Sequence, residues 1–401
     1  MLGYMKTSIS EIVATIAPNH IARRAGPDVQ RRIDTLKIGQ KMQDLPEELW
    51  HDSFRFYVKE DPNRKGGPNL RMIRLRPDRP SLTVTAYIFN KFVHPFEDRF
   101  ITVREAARLQ GFPDTLEFVG SLGSTQMQVG NAVPASLARA VFQQVACHAR
   151  ASGYSQEPLR ALSLFSGAGG MDVGAEQAGI DPKVALEYWS DACATLRGYF
   201  QDRVAIVEDS ILNVTDPLAL WREKSGEDTV PDLIYGGPPC QAFSQAGKQQ
   251  ALADDRGRLI FEFLRFVERL RPAYFVMENV LNLRGVGGGD LYRHIIQRMS
   301  TMGYAVNVTP LLAANYGAAQ LRYRLFFVGS RQDLDKVQIP EPTHSATPKL
   351  FGEQPHLTVG EVFADLPKVG REVTKLMGRI AKSDQQNSEQ HESRTQLNRQ
   401  F

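Results

Sequence analysis

Leu233-Ile234-Tyr235-Gly236-Gly237-Pro238-Pro239-Cys240-Gln241-Ala242-Phe243-Ser244 sets an apolar run against an abrupt break. Leu233 to Tyr235 has the composition of a buried strand, and Gly236 to Pro239 ends it sharply. Cys240 is thereby expected at the carboxyl end of a strand, where open α/β sheets keep their sites. A free cysteine taken alone is more often a small buried hydrophobe, so its neighbours decide.

Outward from this stretch, strands and helices alternate. Ala161 to Phe165 reads as a first strand, Ser166-Gly167-Ala168-Gly169-Gly170 as a glycine turn, and Met171 to Ala178 as the helix behind it. Val184 to Leu186 forms a second strand ending at Glu187, and Val204 to Val207 a third ending near Asp209. After the cysteine loop come a helix from about Leu259 to Leu270, a strand Ala273 to Met277 tipped by Glu278-Asn279-Val280, and Leu325 to Gly329 closing the sheet. This order predicts an α/β fold with a Rossmann-like, parallel, doubly wound sheet.

The chain before residue 159 has a different texture. Ile9, Ile12, Val13 and Ile16 outline a short amphipathic helix. From His20 to Arg79, Arg23, Arg24, Arg31, Arg32, Lys37, Lys41, Arg64, Lys65, Arg71, Arg74, Arg76 and Arg79 alternate with glycine and asparagine. Such loops either follow a phosphate backbone or form a solvated surface, and charge alone does not decide. Leu82 to Ile88 reads as a strand. Thr102 and Glu105 form a capping box for a helix whose inner face is Ala106, Ala107 and Leu109, stopped by Gly111-Phe112-Pro113. Gln128 to Pro134 reads as a tight turn at the entrance of a helix through Phe142, with Asn131 facing a ligand there. Residues 149–158 read as a linker, and Lys382 to Arg399 as a disordered polar end.

Composition sets the outer bounds. At 401 residues, 42% hydrophobic and 23% charged, the chain is expected to form two domains of a soluble protein. No apolar run is long enough to span a bilayer and no secretory leader is found, so a cytoplasmic protein with no membrane partner is expected. Three cysteines far apart argue against a disulfide framework and against zinc. The net charge of +3 suits nucleic acid only where it is locally concentrated.

The residues at the strand tips suggest a chemistry. The glycine turn departs from G-x-G-x-x-G, which disfavours a phosphate cradle. Glu187 suits ribose hydroxyls, Asp209 an adenine amino group, and two carboxylates suit the sulfonium of S-adenosylmethionine. Cys240 and Glu278 end strands of one sheet and so face one cleft. A thiolate beside a protonatable acid is suited to addition at C6 of cytosine, with the acid at N3 and C5 made nucleophilic. Arg322 and Arg324, one residue apart on a strand, point to one side, where they steady the base carbonyl, the carboxylate and a phosphate.

These blocks together resemble the DNA cytosine-5 methyltransferases. The resemblance rests on Phe165 to Gly170, Gly237 to Gln241, Glu278 to Val280, Gln320 to Arg324, Arg104 to Gln110, and Gly130 to Pro134. It implies a class I S-adenosylmethionine-dependent fold with a small, irregular target-recognition domain. It also implies methyl transfer from S-adenosylmethionine, with no metal, to C5 of a cytosine flipped out of double-stranded DNA. It makes Cys240 the nucleophile, Glu278 the acid at N3, and Arg322 and Arg324 supporting cations. Phe165, Gly167, Gly169, Glu187, Tyr188, Asp209, Pro238, Leu259, Asn131 and Val133 fall on cofactor positions. Trp189 competes with Tyr188 for the adenine, and Phe243 to Arg258 resembles a loop that closes over DNA. Sequence-specific methylation by a monomer follows from the same likeness, with room for a cognate restriction endonuclease.

The order of the blocks departs from most of the family, because the Arg104 and Gly130 blocks come first. That is the order of a circular permutation, which close-lying termini tolerate. The expected organisation is 1–80 as part of the recognition domain, 81–148 packing on the catalytic domain, 149–158 as linker, 159–340 as the cofactor-binding domain, 341–380 returning into the small domain, and 381–401 as a tail. His344 to Pro367 and His20 to Arg79 resemble the segments entering and leaving the recognition region. Three rival readings stand beside this one. A tRNA cytosine-5 methyltransferase shares the catalytic blocks, a nicotinamide or flavin oxidoreductase explains the glycine turn alone, and a non-catalytic DNA-binding module explains the basic stretch alone.

Overall fold

The computed structural model describes residues 17–52, 54–55, 72–86, 91–239, 258–348 and 352–369. Outside them lie the expected helix of Ile9, Ile12, Val13 and Ile16, as well as Arg64, Lys65, Arg71, Tyr87, Ile88, Cys240 and residues 241–257, and the expected polar end from Lys382. The chain forms two units. One comprises Arg76–Ile88 and Ala106–Val362, the other Met1–Leu75, Phe89–Glu105 and Phe363–Phe401.

The larger unit is built on a seven-stranded sheet of β1 (Arg160–Leu164), β2 (Asp181–Glu187), β3 (Ala205–Glu208), β4 (Leu233–Gly236), β5 (Tyr274–Asn279), β6 (Tyr304–Leu312) and β7 (Tyr323–Arg331), in the order β3-β2-β1-β4-β5-β7-β6. Neighbours from β3 through to β5 pair in parallel, as the sequence predicts. β7 does not close the sheet: it runs antiparallel between β5 and β6. β6 escaped the sequence reading because it is an edge strand whose middle positions are all half-buried, so it lacks the alternation that betrays a strand.

Both faces of the sheet are covered, and the parity of side chains shows it. Ala161, Tyr235, Val276 and Phe326 pack on one face, Leu162, Ile234, Phe275 and Phe327 on the other. The longer helices of this unit among the described residues are α1 (Leu122–Asn131), α2 (Ala135–Ala151), α3 (Gly170–Gln177), α4 (Ser190–Phe200), α5 (Pro217–Ser225), α6 (Arg258–Leu270) and α7 (Asp290–Thr301). Leu137, Val141 and Phe142 of α2 cover the first face, and Phe263, Val267 of α6 with Ile295 of α7 the second. α2 and α3 meet at Gly174, where an added Cβ would come within 2.6 Å of the Ala138 Cβ.

Three local expectations are corrected. Leu122–Asn131 is a helix, not a turn; Gly123, Ser124 and Thr125 hide it because they favour other conformations, and the Ser121 hydroxyl starts it by accepting from the Ser124 amide at 3.2 Å. α2 continues to Ala151, into the expected linker, and Tyr154 in that segment is pinned by its hydroxyl to Asp232 at 2.8 Å. Of Leu82 to Ile88, the described part forms only the two-residue strand Ser81–Leu82, parallel to Gln320–Leu321.

The smaller unit has a helix, Pro27–Thr35, and a core of Ile33, Leu36, Met42, Leu45, Phe54, Met72, Val93 and Phe100. Arg74, read among the basic loop residues, is 5% exposed. It donates to the carbonyls of Ile33 and Leu36, each at 2.7 Å, and pairs with Asp98 at 2.6 Å. Its charge holds loops together rather than facing solvent. The capping box is present, with the Thr102 amide donating to Glu105 Oε2 at 2.7 Å and the Glu105 amide to Thr102 Oγ1 at 3.1 Å. His20 Nε2 donates to the Pro367 carbonyl at 2.8 Å, 347 residues away, and so its Nδ1 accepts from the Thr102 hydroxyl at 2.9 Å.

Candidate active site

The site is built within the larger unit where β1, β4 and β5 end together. At Gly236 a Cβ would stand 2.1 Å from the Leu164 carbonyl oxygen, and at Gly237 one would stand 2.9 Å from Glu278 Oε2. Glycine at these positions therefore lets two strand tips and a carboxylate converge. Asn279 donates from Nδ2 to the Pro238 carbonyl at 3.0 Å and accepts the Val280 amide on Oδ1 at 2.9 Å. The chain two residues before Cys240 is thus fastened to the tip that carries Glu278. Cys240 itself lies outside the described residues.

Glu278 is buried and pairs across the antiparallel ladder with Phe326. Arg324 is two residues before Phe326 and so shares its face. Its Nε lies 2.7 Å from Glu278 Oε1. Burial pushes the Glu278 carboxyl above the ordinary carboxylate value, and the charges of Arg324 and Arg322 offset only part of that rise.

Arg322 keeps the parity of Arg324 but not its role. It is 1% exposed and donates to the Val84 carbonyl at 2.5 Å and the Gly130 carbonyl at 3.1 Å, while its Nε has no partner among the described residues. Burial, then repulsion by Arg324, lowers its pKa to about 9. It acts on Glu278 through its field, and of the two arginines Arg324 is the one that touches the carboxylate. Gln320, in the same block, accepts the Val84 amide at 3.2 Å and donates to Gln110 Oε1 at 2.6 Å. Gln320 and Arg322 therefore join the segments around Val84, Gln110 and Gly130 to the sheet.

Beside Glu278 opens a cleft of about 380 Å³. Of the expected cofactor residues, Phe165, Gly167, Glu187, Tyr188, Asp209, Leu259, Asn131 and Val133 line it, and Gly169 and Pro238 do not. Gly169 instead sits at φ +85° at the start of α3, where a Cβ would meet Leu196 at 2.8 Å. Gln128, Ser163, Ser166 and Trp189 also line the cleft; Gln128 was hidden with the unrecognised α1, and Ser163 reads as an ordinary strand residue.

The turn after β1 is conformationally exacting. Phe165 has φ +55°, rare for a residue with a side chain. The Glu187 carboxylate locks the wall by accepting the amides of Gly167 at 2.8 Å and of Tyr188 and Trp189 at 2.9 Å each. Asp209 Oδ1 accepts the Ser210 amide and Asn213 Nδ2, both at 2.7 Å. Tyr188 remains 73% exposed, with its ring free to cover a ligand. Among the described residues, no group of His, Cys, Asp or Glu is arranged to hold a metal ion, and no helix is long and apolar enough to cross a membrane.

The family model described as C-5 cytosine-specific DNA methylase matches residues 15–147 and 159–400. The chain is 40% identical to the type II methyltransferase M.AquIA of Picosynechococcus sp. over 222 residues, 51% of this chain and 88% of that one. It is 36% identical to M1.HphI of Haemophilus parahaemolyticus (53% of this chain, 54% of that one) and 34% identical to M.AgeI of Thalassovita gelatinovora (52% and 51%), both type II methyltransferases. The chain spans about half the length of these last two relatives.

Proposed function

The chain belongs to the C-5 cytosine-specific DNA methylase family, and from that premise we propose that it methylates C5 of a cytosine held outside the stack of duplex DNA. The observation that carries this reading is the buried Glu278, raised above the ordinary carboxylate value, close against Gly237 and followed by Asn279, which bonds the Pro238 carbonyl two residues before Cys240.

The cleft fits S-adenosylmethionine as donor. Glu187 and Asp209 each keep oxygen lone pairs for a ribose and an adenine amino group, Tyr188 supplies an aromatic face, and the volume suits a nucleoside-sized ligand. The donor supplies an electrophilic methyl group on a positively charged sulfur. Cys240, as thiolate, adds at C6 of the cytosine while Glu278 gives its proton to N3, so that C5 carries the electron pair that takes the methyl. Arg324 holds the Glu278 carboxyl in place and stabilises the carboxylate left when the proton moves. A water then takes the C5 proton, the C6–S bond breaks to release Cys240 as thiolate, and N3 returns its proton to the Glu278 carboxylate. The type II relatives support a sequence-specific activity with a cognate endonuclease as partner.

Tritium transfer from labelled S-adenosylmethionine into duplex DNA tests the reading, with Cys240→Ala as control. Incorporation in the parent and none in the variant is expected; incorporation that survives the substitution rules out the Cys240 mechanism.

A further inference from the structure

Asp172 stands in the first turn of α3 and is 1% exposed. Its Oδ1 accepts the Tyr235 hydroxyl at 3.0 Å, and its Oδ2 has no hydrogen-bond partner among the described residues. Ser163 is a neighbour shared by Asp172, Tyr235 and Ser166, with the Ser163 and Ser166 hydroxyls 2.8 Å apart. Ser163 and Ser166 line the cleft, so Asp172 lies one hydroxyl behind its wall.

The electrostatics there lack one sign. The charged group that acts on Asp172 is the Glu187 carboxylate, which is also negative. Burial pushes the Asp172 carboxyl up to about 6 against the hydrogen bonds of Ser163, Tyr235 and its own backbone amide, and the Glu187 repulsion adds a smaller rise. Among the described residues, the other groups packed around it bring no compensating cation: β4 presents Tyr235, whose hydroxyl burial keeps neutral far above neutrality, β1 presents Ser163, and α2 meets α3 through Ala135, Ala138 and the main chain of Arg139. A buried carboxylate with an unfilled oxygen, next to a ligand-sized cleft, is stabilised as an anion by a cation placed in that cleft.

We infer that Asp172 is the counter-charge of the donor site, a positioning residue that makes the cleft prefer a cationic ligand to its neutral counterpart. The inference rests on the reading of the cleft as the S-adenosylmethionine site. S-adenosylmethionine and the product S-adenosylhomocysteine share adenosine and amino-acid parts and differ by one methyl and one positive charge. Their affinity ratio therefore isolates the charge. A cation in the cleft favours ionised Asp172 and lowers its pKa, and each unit of that shift is about tenfold in affinity. The preference is complete above the pKa of the free protein and disappears as pH falls through that of the complex.

Calorimetric titration of the full chain with each ligand, at about pH 7.5 and about pH 5, measures this ratio. The expected result is a roughly tenfold fall in the preference for S-adenosylmethionine at the lower pH, and in Asp172→Asn a ratio that is low at both. A ratio indifferent to pH, or an Asp172→Asn protein that keeps the parent's ratio and pH response, overturns the inference and leaves the donor site standing. Tyr235→Phe serves as a second variant. Loss of its hydroxyl raises the Asp172 pKa, so the preference is expected to vanish at higher pH than in the parent, and an unmoved transition counts against Asp172 as its source. If the parent binds neither ligand, the donor reading itself fails.

Discussion

Glu278 Oε1 lies 2.7 Å from Arg324 Nε on the adjacent antiparallel strand, and the carboxyl is nevertheless held above its ordinary pKa. Desolvation outweighs the ion pair, and under the proposed mechanism the pair serves as a poised acid with its orienting cation. A reaction that uses protonated Glu278 slows as pH rises through the raised pKa. Arg324→Met removes a charge that pulls the pKa down, and is expected to move the alkaline limb of kcat to higher pH. Glu278→Gln is expected to lower kcat by about 10² to 10⁴ and abolish that limb. An alkaline limb unchanged in both variants would show that another group titrates.

Arg322 is expected to matter for stability more than for chemistry. Arg322→Met strips donors from the buried carbonyls of Val84 and Gly130, while relieving a buried guanidinium whose Nε has no partner among the described residues. The net loss is expected at roughly 2–4 kcal/mol in urea unfolding. A variant of parental stability would refute the role as a tie.

Two glycines of α1 should respond in opposite directions. At Gly123 nothing stands within 4 Å of an added Cβ, whereas at Gly130 it would fall 2.2 Å from the Ala86 amide nitrogen. Gly123→Ala is expected to stabilise by about 0.5 kcal/mol through helix propensity. Gly130→Ala, forcing main chain apart, is expected to cost about 1–3 kcal/mol or more. Thermal melts of the two variants decide, and a Gly130→Ala protein as stable as the parent contradicts the close approach.

Acid should weaken the smaller unit through His94. Burial, stronger than the pull of Glu105, lowers the His94 pKa to about 4. The unfolded chain then binds the proton first, so stability is lost as pH falls from the ordinary value of 6.5 towards 4, by up to roughly 3 kcal/mol. His20 shifts in the same direction. Urea midpoints between pH 7 and pH 4 should fall in the parent and fall less in His94→Gln; parallel curves would exclude His94 as the cause.

The unit formed from both ends of the chain is proposed to carry the DNA-recognition role. Arg24, Arg31 and Lys37 are exposed there, unlike Arg74. Replacing the three with alanine is expected to reduce the slope of log affinity against log salt by about 1 for each DNA phosphate that the variant no longer neutralises, with donor binding unchanged. An unaltered slope would place the phosphate-binding cations elsewhere.

Much of this was legible because turn chemistry and strand parity act locally. The breaks at Gly236 to Pro239 and Ser166 to Gly170 announced the strand tips, and Thr102 with Glu105 announced a helix start that the structure contains. What stayed hidden depends on partners distant in sequence. Nothing near Arg322 in the chain says that its guanidinium is consumed by Val84 and Gly130, and nothing near Arg74 says that it is enclosed by the carbonyls of Ile33 and Leu36. Asp172 looks like a favourable first-turn acid of a helix, and only the fold reveals that it has been buried against Tyr235.

The hydrogen bond from His20 to Pro367 imposes a timetable on synthesis. Its two partners emerge from the ribosome 347 residues apart, on the order of tens of seconds at ordinary elongation rates. The His20–Pro367 bond must therefore wait while the sheet of the larger unit is made, although Thr102 and the core partners Met72, Val93 and Phe100 are already present. Nascent chains arrested before Pro367 should expose the main chain around His20 to proteases more than chains that include Pro367.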